Sequence, residues 1–470
     1  MNPFYCTAYV VSMDNDNDAF IPELWAREGL RILEENMVAA MLVHRDFSDE
    51  VAEFGDVVNT RRPGEFQITR KVDSDEVTTQ DAASTNVQVP LDQHFHVSFV
   101  IKDGEASKSF QDLTTIYMLP GMQTIARGVD RAVLGRSHAF YGTPSTRAGR
   151  LGNMTESNAR SFLLEARKVL NDNMAPMAPR NLILGTSAET ALLNTELFVS
   201  AEKRGDSGSA LEEARLGRIL GVNTFLDQNV SDITAGTADT VAGTLTDPYA
   251  AGTTGSLNSS IAAYEAIVGE FINVEGNDQP TFLTARTAST NTTAVTLNEA
   301  LKYATLDNAI VTLYKACAVN GAYAAGYAKA ITVDGYTSGK APQVGQLVAF
   351  GTGASRRTYT IIRANDAGAT CTIWLDRPLE VALTDNQSAF PGPSGSYNVL
   401  LHPEALALVS RPLALPREGL GVMAANASYN NVGMRVVMTY DGKAQGTRVT
   451  LDILAGVALL DSRLGCWLLG

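Results

Sequence analysis

The feature that most limits the fold of this 470-residue chain is a change of composition at Ser231. From there to about Ser396, Thr, Ala and Gly dominate and charges thin out, while strongly patterned sequence lies on both sides. The flanking runs 222–226 and 398–401 read as strands of one domain. A chain written this way carries a module inserted into a host domain, because insertions survive best at surface loops. Inside the module, 344–350, 359–363 and 371–375 are strand-like runs separated by Gly and Asp turns, as in a small barrel. Their apolar residues, from Val344, Leu347, Val348 and Phe350 to Ile373, Trp374 and Leu375, suffice for a barrel core. The stretches 261–272 and 297–314 read as helices.

Outside the module the periodicity alternates between helix and strand. Residues 1–19 read as an extended polar arm carrying Asp14, Asp16 and Asp18, followed by an amphipathic helix from Pro22 to about Val43. From 51 to 101 the apolar residues alternate, first at Phe66 and Ile68 and then from Val87 to Ile101, which predicts two strands of one long hairpin. Its tip, 73–86, is polar. A long helix follows from Pro120, and a second, capped by Thr155, runs to about Asn171 with Phe162, Leu163, Ala166, Val169 and Leu170 on its apolar face. Short strands are expected at 181–184, 218–220 and 222–226, with helices around 189–193 and 195–201 between the first two. A strand running into a helix is expected over 398–409, and strands over 435–440, 448–455 and 458–460.

Charge and motifs narrow the function. A formal charge of −14 and a pI near 4.9 leave little affinity for nucleic acid, which depends on clustered Lys and Arg. The one basic cluster, Arg61, Arg62, Arg70 and Lys71 on the hairpin, reads as a solvated or subunit-facing patch. The four cysteines are far apart and form no C-x-x-C pair, which suits a reducing compartment. No apolar stretch approaches the roughly 20 residues that span a bilayer, and no signal-peptide order begins the chain, so a soluble cytoplasmic product is expected.

Three local patterns invite chemistry. The run 205–208, with Ser207, resembles a protease nucleophile loop, and a hydrolase using Ser207 is the alternative reading, but its helical flanks do not suit that triad. His94 and His96, two apart on a strand, share a face and could share a metal, without a third ligand evident in sequence. Asp14, Asp16 and Asp18 resemble the start of a calcium loop, yet Ala19 and Trp25 occupy the positions of its Gly and Glu. The same aspartates suit a basic partner or, equally, the N-terminal end of the helix after them. No cofactor motif is found.

The order of elements resembles the major capsid proteins of tailed double-stranded DNA phages, the HK97-type fold. The most specific stretches are 216–225, with Gly217, Ile219 and Gly221, then 398–409 with His402-Pro403-Glu404-Ala405, and the terminal 451–461. The inserted segment is similar in placement to the β-barrel of the short-tailed Salmonella-phage branch. This resemblance implies an α+β fold: an N-terminal arm and helix (1–50), an extended β-hairpin loop (51–103), a spine helix and peripheral domain (104–180), and an axial domain in two parts (181–230 and 397–470) around the insertion (231–396). It further implies a non-enzymatic subunit, made in the host bacterial cytoplasm and found in the virion capsid; beside the Ser207 hydrolase, the Thr- and Gly-rich insertion leaves another repetitive virion or tail component as an alternative. Its partners would be itself, as hexamers and pentamers, a scaffolding protein, a portal protein and, where present, a decoration protein, with packaged DNA held by weak non-specific contact alone. The hairpin residues Arg61, Arg62, Arg70 and Lys71 would lie between subunits, and Asp14, Asp16 and Asp18 would meet the scaffold.

Overall fold

A computed structural model of the chain describes residues 20–46, 57–63, 68, 70–71, 73, 79–80, 84–102, 117–141, 147–148, 159–200, 214–233, 239–255, 257–262, 266–275, 277–288, 293–298, 300–301, 304–327, 329–417, 422–429, 431–443 and 445–469. Asp14, Asp16, Asp18, Thr155 and Ser207 lie outside these residues. What is described is an α+β chain with far more strand than helix.

The N-terminal helix, Phe20–Asn36, buries Ala26, Leu30 and Leu33 against the central helix, Leu119–Gly135, and the strands Val422–Tyr429 and Val432–Asp441. It stops at Asn36 rather than near Val43. Beyond that point the amides of Val38 and Ala40 donate to the two carboxylate oxygens of Asp130, each at 2.9 Å, and Ala39–Met41 forms a 3-10 turn. The central helix opens with Pro120 in its first turn and buries Met122, Ile125, Ala126, Val129 and Val133 along one stripe.

That stripe rests on a five-stranded sheet built around the long strand Gly446–Leu459. Val432–Asp441 and Gln93–Lys102 flank its first half, and Leu406–Arg411 pairs with its second. Gln93–Lys102 was expected in the hairpin. It leaves it because Phe95, Val97, Phe99 and Ile101 alternate with polar residues, and ten paired positions with 446–455 put that apolar side onto the core. The hairpin is therefore shorter: Val57–Pro63 pairs with Ser84–Pro90, and Ile68 and Arg70, expected in a strand, lie exposed outside one. Its base packs through Val58, Val89 and Leu91 on Ala407, Val409, Leu454 and Ala458.

Gly456 sets how closely that base approaches, since a Cβ there would meet Pro90 O at 2.2 Å. Gly456→Ala should cost about 1–3 kcal/mol and loosen the hairpin. Urea unfolding and the rate of proteolytic cleavage between the two hairpin strands measure both effects.

A second, mixed sheet runs in the order Arg147–Ala148, Gly465–Leu469, Gly395–Leu401, Asn181–Leu184, Val222–Leu226, Arg218–Ile219. Alternation serves both faces. Leu182, Leu184, Leu400 and Leu468 pack beneath Leu163, Ala166 and Leu170 of the helix Ala159–Asp172, while Ile183, Val399, Leu401 and Trp467 join the main core. The helix expected within 398–409 is instead a single 3-10 turn, Pro403–Ala405, leading into Leu406–Arg411. Leu406, Ala407, Leu408 and Val409 are all buried, and ladder pairing with 454–459 overrides their helix propensity.

The segment 231–396 leaves and rejoins this sheet at one place, where Asp232–Ile233 pairs with Gly395 and Ser396. Its second half is a closed barrel in the order Cys317–Val319, Ile331–Asp334, Cys371–Leu375, Arg357–Asp366, Leu347–Phe350, Ser388–Pro391. Its first half is a six-stranded sheet, not helices. The β-branched runs Phe271–Val274 and Ile310–Tyr314 are paired strands within it, and Gly269, at φ +106°, cannot continue a helix into the first of them. Phe271, Tyr314, Leu347, Ala349 and Phe390 of this segment share the main core.

Candidate functional site at the seam between the central helix and the barrel

The densest polar arrangement among the described residues lies where the C-terminal end of the central helix meets the barrel. Gly135 O accepts hydrogen bonds from Thr360 Oγ1 at 2.9 Å and from the ring of His138 at 2.7 Å. Because that ring donates through Nδ1, its Nε2 is free to accept from Arg377 Nη1 at 3.4 Å, and His138 is neutral. Burial, aided by the Arg377 charge, pushes its pKa down to about 4.

Asp376 is the anchor. Its side chain is fully buried, accepts the Thr360 amide at 2.9 Å and pairs with Arg377 at 3.1 Å. Burial alone would raise its pKa, but the charges of Arg377 and Arg136 hold it below the usual carboxylate range. Arg377 also donates to Glu380 Oε1 (2.8 Å) and Thr358 O (2.8 Å), and its guanidinium stacks 4.2 Å from the Tyr359 ring centre. Glu380 in turn meets Arg357 at 3.0 Å. From the other side, Gln93 donates to Asp376 O at 2.6 Å and Arg136 to Val457 O at 3.0 Å. With Asp92 nearby, three carboxylates face three guanidinia. Such a set fixes elements in place, each charge being engaged by another.

A second buried junction lies just before residue 231, where the chain leaves the mixed sheet. Asp130, held by the Val38 and Ala40 amides, is near Asp227, whose Oδ1 accepts the Asn229 amide at 2.8 Å. Asp227 Oδ2 is buried without a hydrogen-bond donor. Burial and then repulsion from Asp227 push Asp130 up to about 7.

The sequence-based candidates are not gathered at either junction. His94 and His96 share a solvent face as expected, with ring centres 5.9 Å apart. His94 Nε2 lies 3.7 Å from Asp452, which Arg435 grips with two bonds of 2.6 and 3.1 Å. Among the described residues no group of three or more His, Cys, Asp or Glu is placed to hold a metal. Arg61 and Arg62 lie in the hairpin strand, and Arg70 and Lys71 are exposed in the connection beyond it. The seam residues were missed in sequence, although Asp130 in an apolar stripe and Asp376-Arg377 directly after buried Leu375 were visible signals.

Among the described residues no helix is long and apolar enough to cross a membrane. No protein-family model and no curated protein matches the chain. Solved structures do resemble it. A Mycobacterium phage Che8 structure aligns with 92% of this chain and 90% of its own at 11% identity and a TM-score of 0.43. The capsid structure of cyanophage P-SCSP1u aligns with 91% and 85% at 9% identity and 0.41. The mature capsid of bacteriophage PhiM1 aligns with 92% and 87% at 10% identity and 0.41.

Proposed function

We propose that this chain is the repeating subunit of a closed protein shell, a phage major capsid protein of HK97-type architecture whose copies assemble as hexamers and pentamers around double-stranded DNA. The observation that carries this reading is the hairpin. Val58 and Val89 are buried at its base, whereas Asn59, Asn86 and Gln88 are exposed, and neither outer edge of the ribbon has a strand partner among the described residues. A two-stranded ribbon is marginal alone, so it calls for a neighbouring subunit. Arg61, Arg62, Arg70 and Lys71 are the residues that would bind that neighbour's carboxylates.

The insertion, which leaves and rejoins its host at one strand pair and packs on it through Phe271, Tyr314 and Phe390 and the Asp376–Arg377 seam, is the module that braces subunits from the shell surface. An acidic chain cannot assemble on DNA through counterion release, so a scaffolding protein nucleates it, the portal admits the genome, and a decoration protein could add to the outer surface. The arm with Asp14, Asp16 and Asp18 is the scaffold's contact.

Sedimentation and negative-stain microscopy of the chain, with and without co-expressed scaffolding protein, test the proposal. Megadalton closed particles are expected, and a small discrete oligomer under both conditions would overturn it. Deleting 64–83 should leave a folded subunit that forms no closed shells.

A further inference from the structure

An exposed apolar knob follows the helix Ala159–Asp172. The helix closes with the Ala175 amide donating to Leu170 O at 2.9 Å and the Met174 amide to Asn171 O at 3.0 Å, which places residue 174 at φ +57°. Glycine is the usual choice for such a left-handed closing position. Here it is methionine, 91% exposed, so the side chain is kept against local preference and without local contact. Met177 is 66% exposed, and Pro176, Ala178 and Pro179 are exposed with it, so the tip carries no charge.

The knob is also rigid. Arg180, 2% exposed, reaches back beneath it and donates to Pro176 O (2.7 Å), Ala175 O (2.8 Å) and Asn171 Oδ1 (2.8 Å). A buried arginine with three such bonds presents the apolar tip to solvent instead of letting it collapse.

A cleft of about 300 Å³ lies at the far end of the same strands, lined among others by Leu184, Glu189, Arg215, Phe225 and Leu226. That volume is at the lower end of the range in which clefts take a bound group. Asn181–Leu184 runs parallel to Val222–Leu226; the knob precedes the first residue of that pair and the cleft surrounds its last. About 13 Å of strand separates them. Knob and cleft of one chain cannot meet, but those of two copies can.

We infer that the knob of one copy seats in the cleft of the next. The inference rests on the shell reading above and specifies one of its contacts. Charge agrees with it: exposed Lys168 and Asp172 flank the knob, and Glu189 and Arg215 flank the cleft, so each charge can meet its opposite. The contact is head-to-tail, which repeats around a ring until it closes. Methionine, unbranched and polarizable, keeps good packing when the angle between neighbours varies slightly around such rings.

Cysteine cross-linking of the full chain in assembled particles tests this. In a Cys6→Ser background, Met177→Cys together with Leu226→Cys should give a covalent ladder of oligomers on oxidation, and either substitution alone should not; the remaining Cys317, Cys371 and Cys466 are buried and serve as the internal control. Met174→Ser with Met177→Ser should leave the thermal unfolding of the subunit unchanged and weaken each contact on the order of 100-fold. Asp172→Arg should impair assembly, and adding Arg215→Asp should restore it. Particles that form normally while the double cysteine variant gives no ladder would overturn the knob and leave the shell reading standing. An unsubstituted chain that never forms particles would overturn both.

Discussion

Arg377→Ala is expected to lower the unfolding free energy of the barrel by about 3–5 kcal/mol, among the largest effects of any single substitution in the chain. The reason is what it leaves behind: Asp376, fully buried, loses its ion pair while Gly135, Thr360 and the barrel wall still exclude water from it. Thr358 O, Glu380 and His138 each lose a donor in the same step. Asp376→Asn combined with Arg377→Met should cost clearly less than Arg377→Ala alone, because no buried charge then stands unpaired and Asn can still accept the Thr360 amide. Trp374, on the barrel strand Cys371–Leu375 and stacked 4.6 Å from the Arg363 guanidinium, reports the transition by fluorescence. An Arg377→Ala chain within about 0.5 kcal/mol of the unsubstituted one would mean that water already reaches the seam.

The parts of this fold legible in sequence are those whose pattern is local and whose burial is simple. Asn181–Leu184, Val222–Leu226 and Cys371–Leu375 coincide with the strands expected, because short apolar runs bounded by Gly, Asn or Asp leave few alternatives. The closed barrel follows from the same signals. What failed depended on partners far away in the chain. Gln93–Lys102 alternates as a hairpin strand would, and nothing local shows that its ladder lies about 350 positions later, with Ser98 and Thr450 sharing a hydroxyl bond of 2.7 Å across it. The runs around 261–272 and 297–314 carry Ala, Leu and Glu enough for helix, yet sheet pairing and the positive φ of Gly269 and Asn308 decide otherwise. The seam is the extreme case. Gln93 meets Asp376 across 283 positions and His138 meets Arg377 across 239, so a single sequence shows the ionic residues but not that they converge.

Two buried groups should titrate in opposite directions and hide one another. His138, pushed down to about 4 from 6.5 by burial and by Arg377, stays neutral while the unfolded chain takes up a proton. Its contribution is therefore present above about pH 6.5 and lost as pH falls toward 4. Full burial would make this about 3 kcal/mol, and since His138 is only part-buried, about 2 kcal/mol is expected. Asp130 behaves oppositely. Raised from 3.8 to about 7 by burial and by Asp227, it keeps its proton where the unfolded chain has lost it, so its contribution is present below about pH 4 and lost as pH rises through 7. Asp227, also raised by burial, shares that titration, with Arg131 opposing it. Between pH 5 and 6.5 these two slopes oppose one another, so the pH dependence of the unsubstituted chain should lie between those of Asp130→Asn and His138→Gln. Asp130→Asn should unmask the histidine, with the urea midpoint rising from pH 5 to 6.5. His138→Gln should unmask the carboxylate pair, with stability falling by about 2–3 kcal/mol from pH 5 to 7. The lowered carboxylates Asp376, Glu380 and Asp452 lose their contributions only as pH falls below their ordinary values of 3.8 to 4.5, outside this window. The slopes, not the absolute stabilities, carry the test: parallel curves for both variants and the unsubstituted chain would refute the opposing titrations.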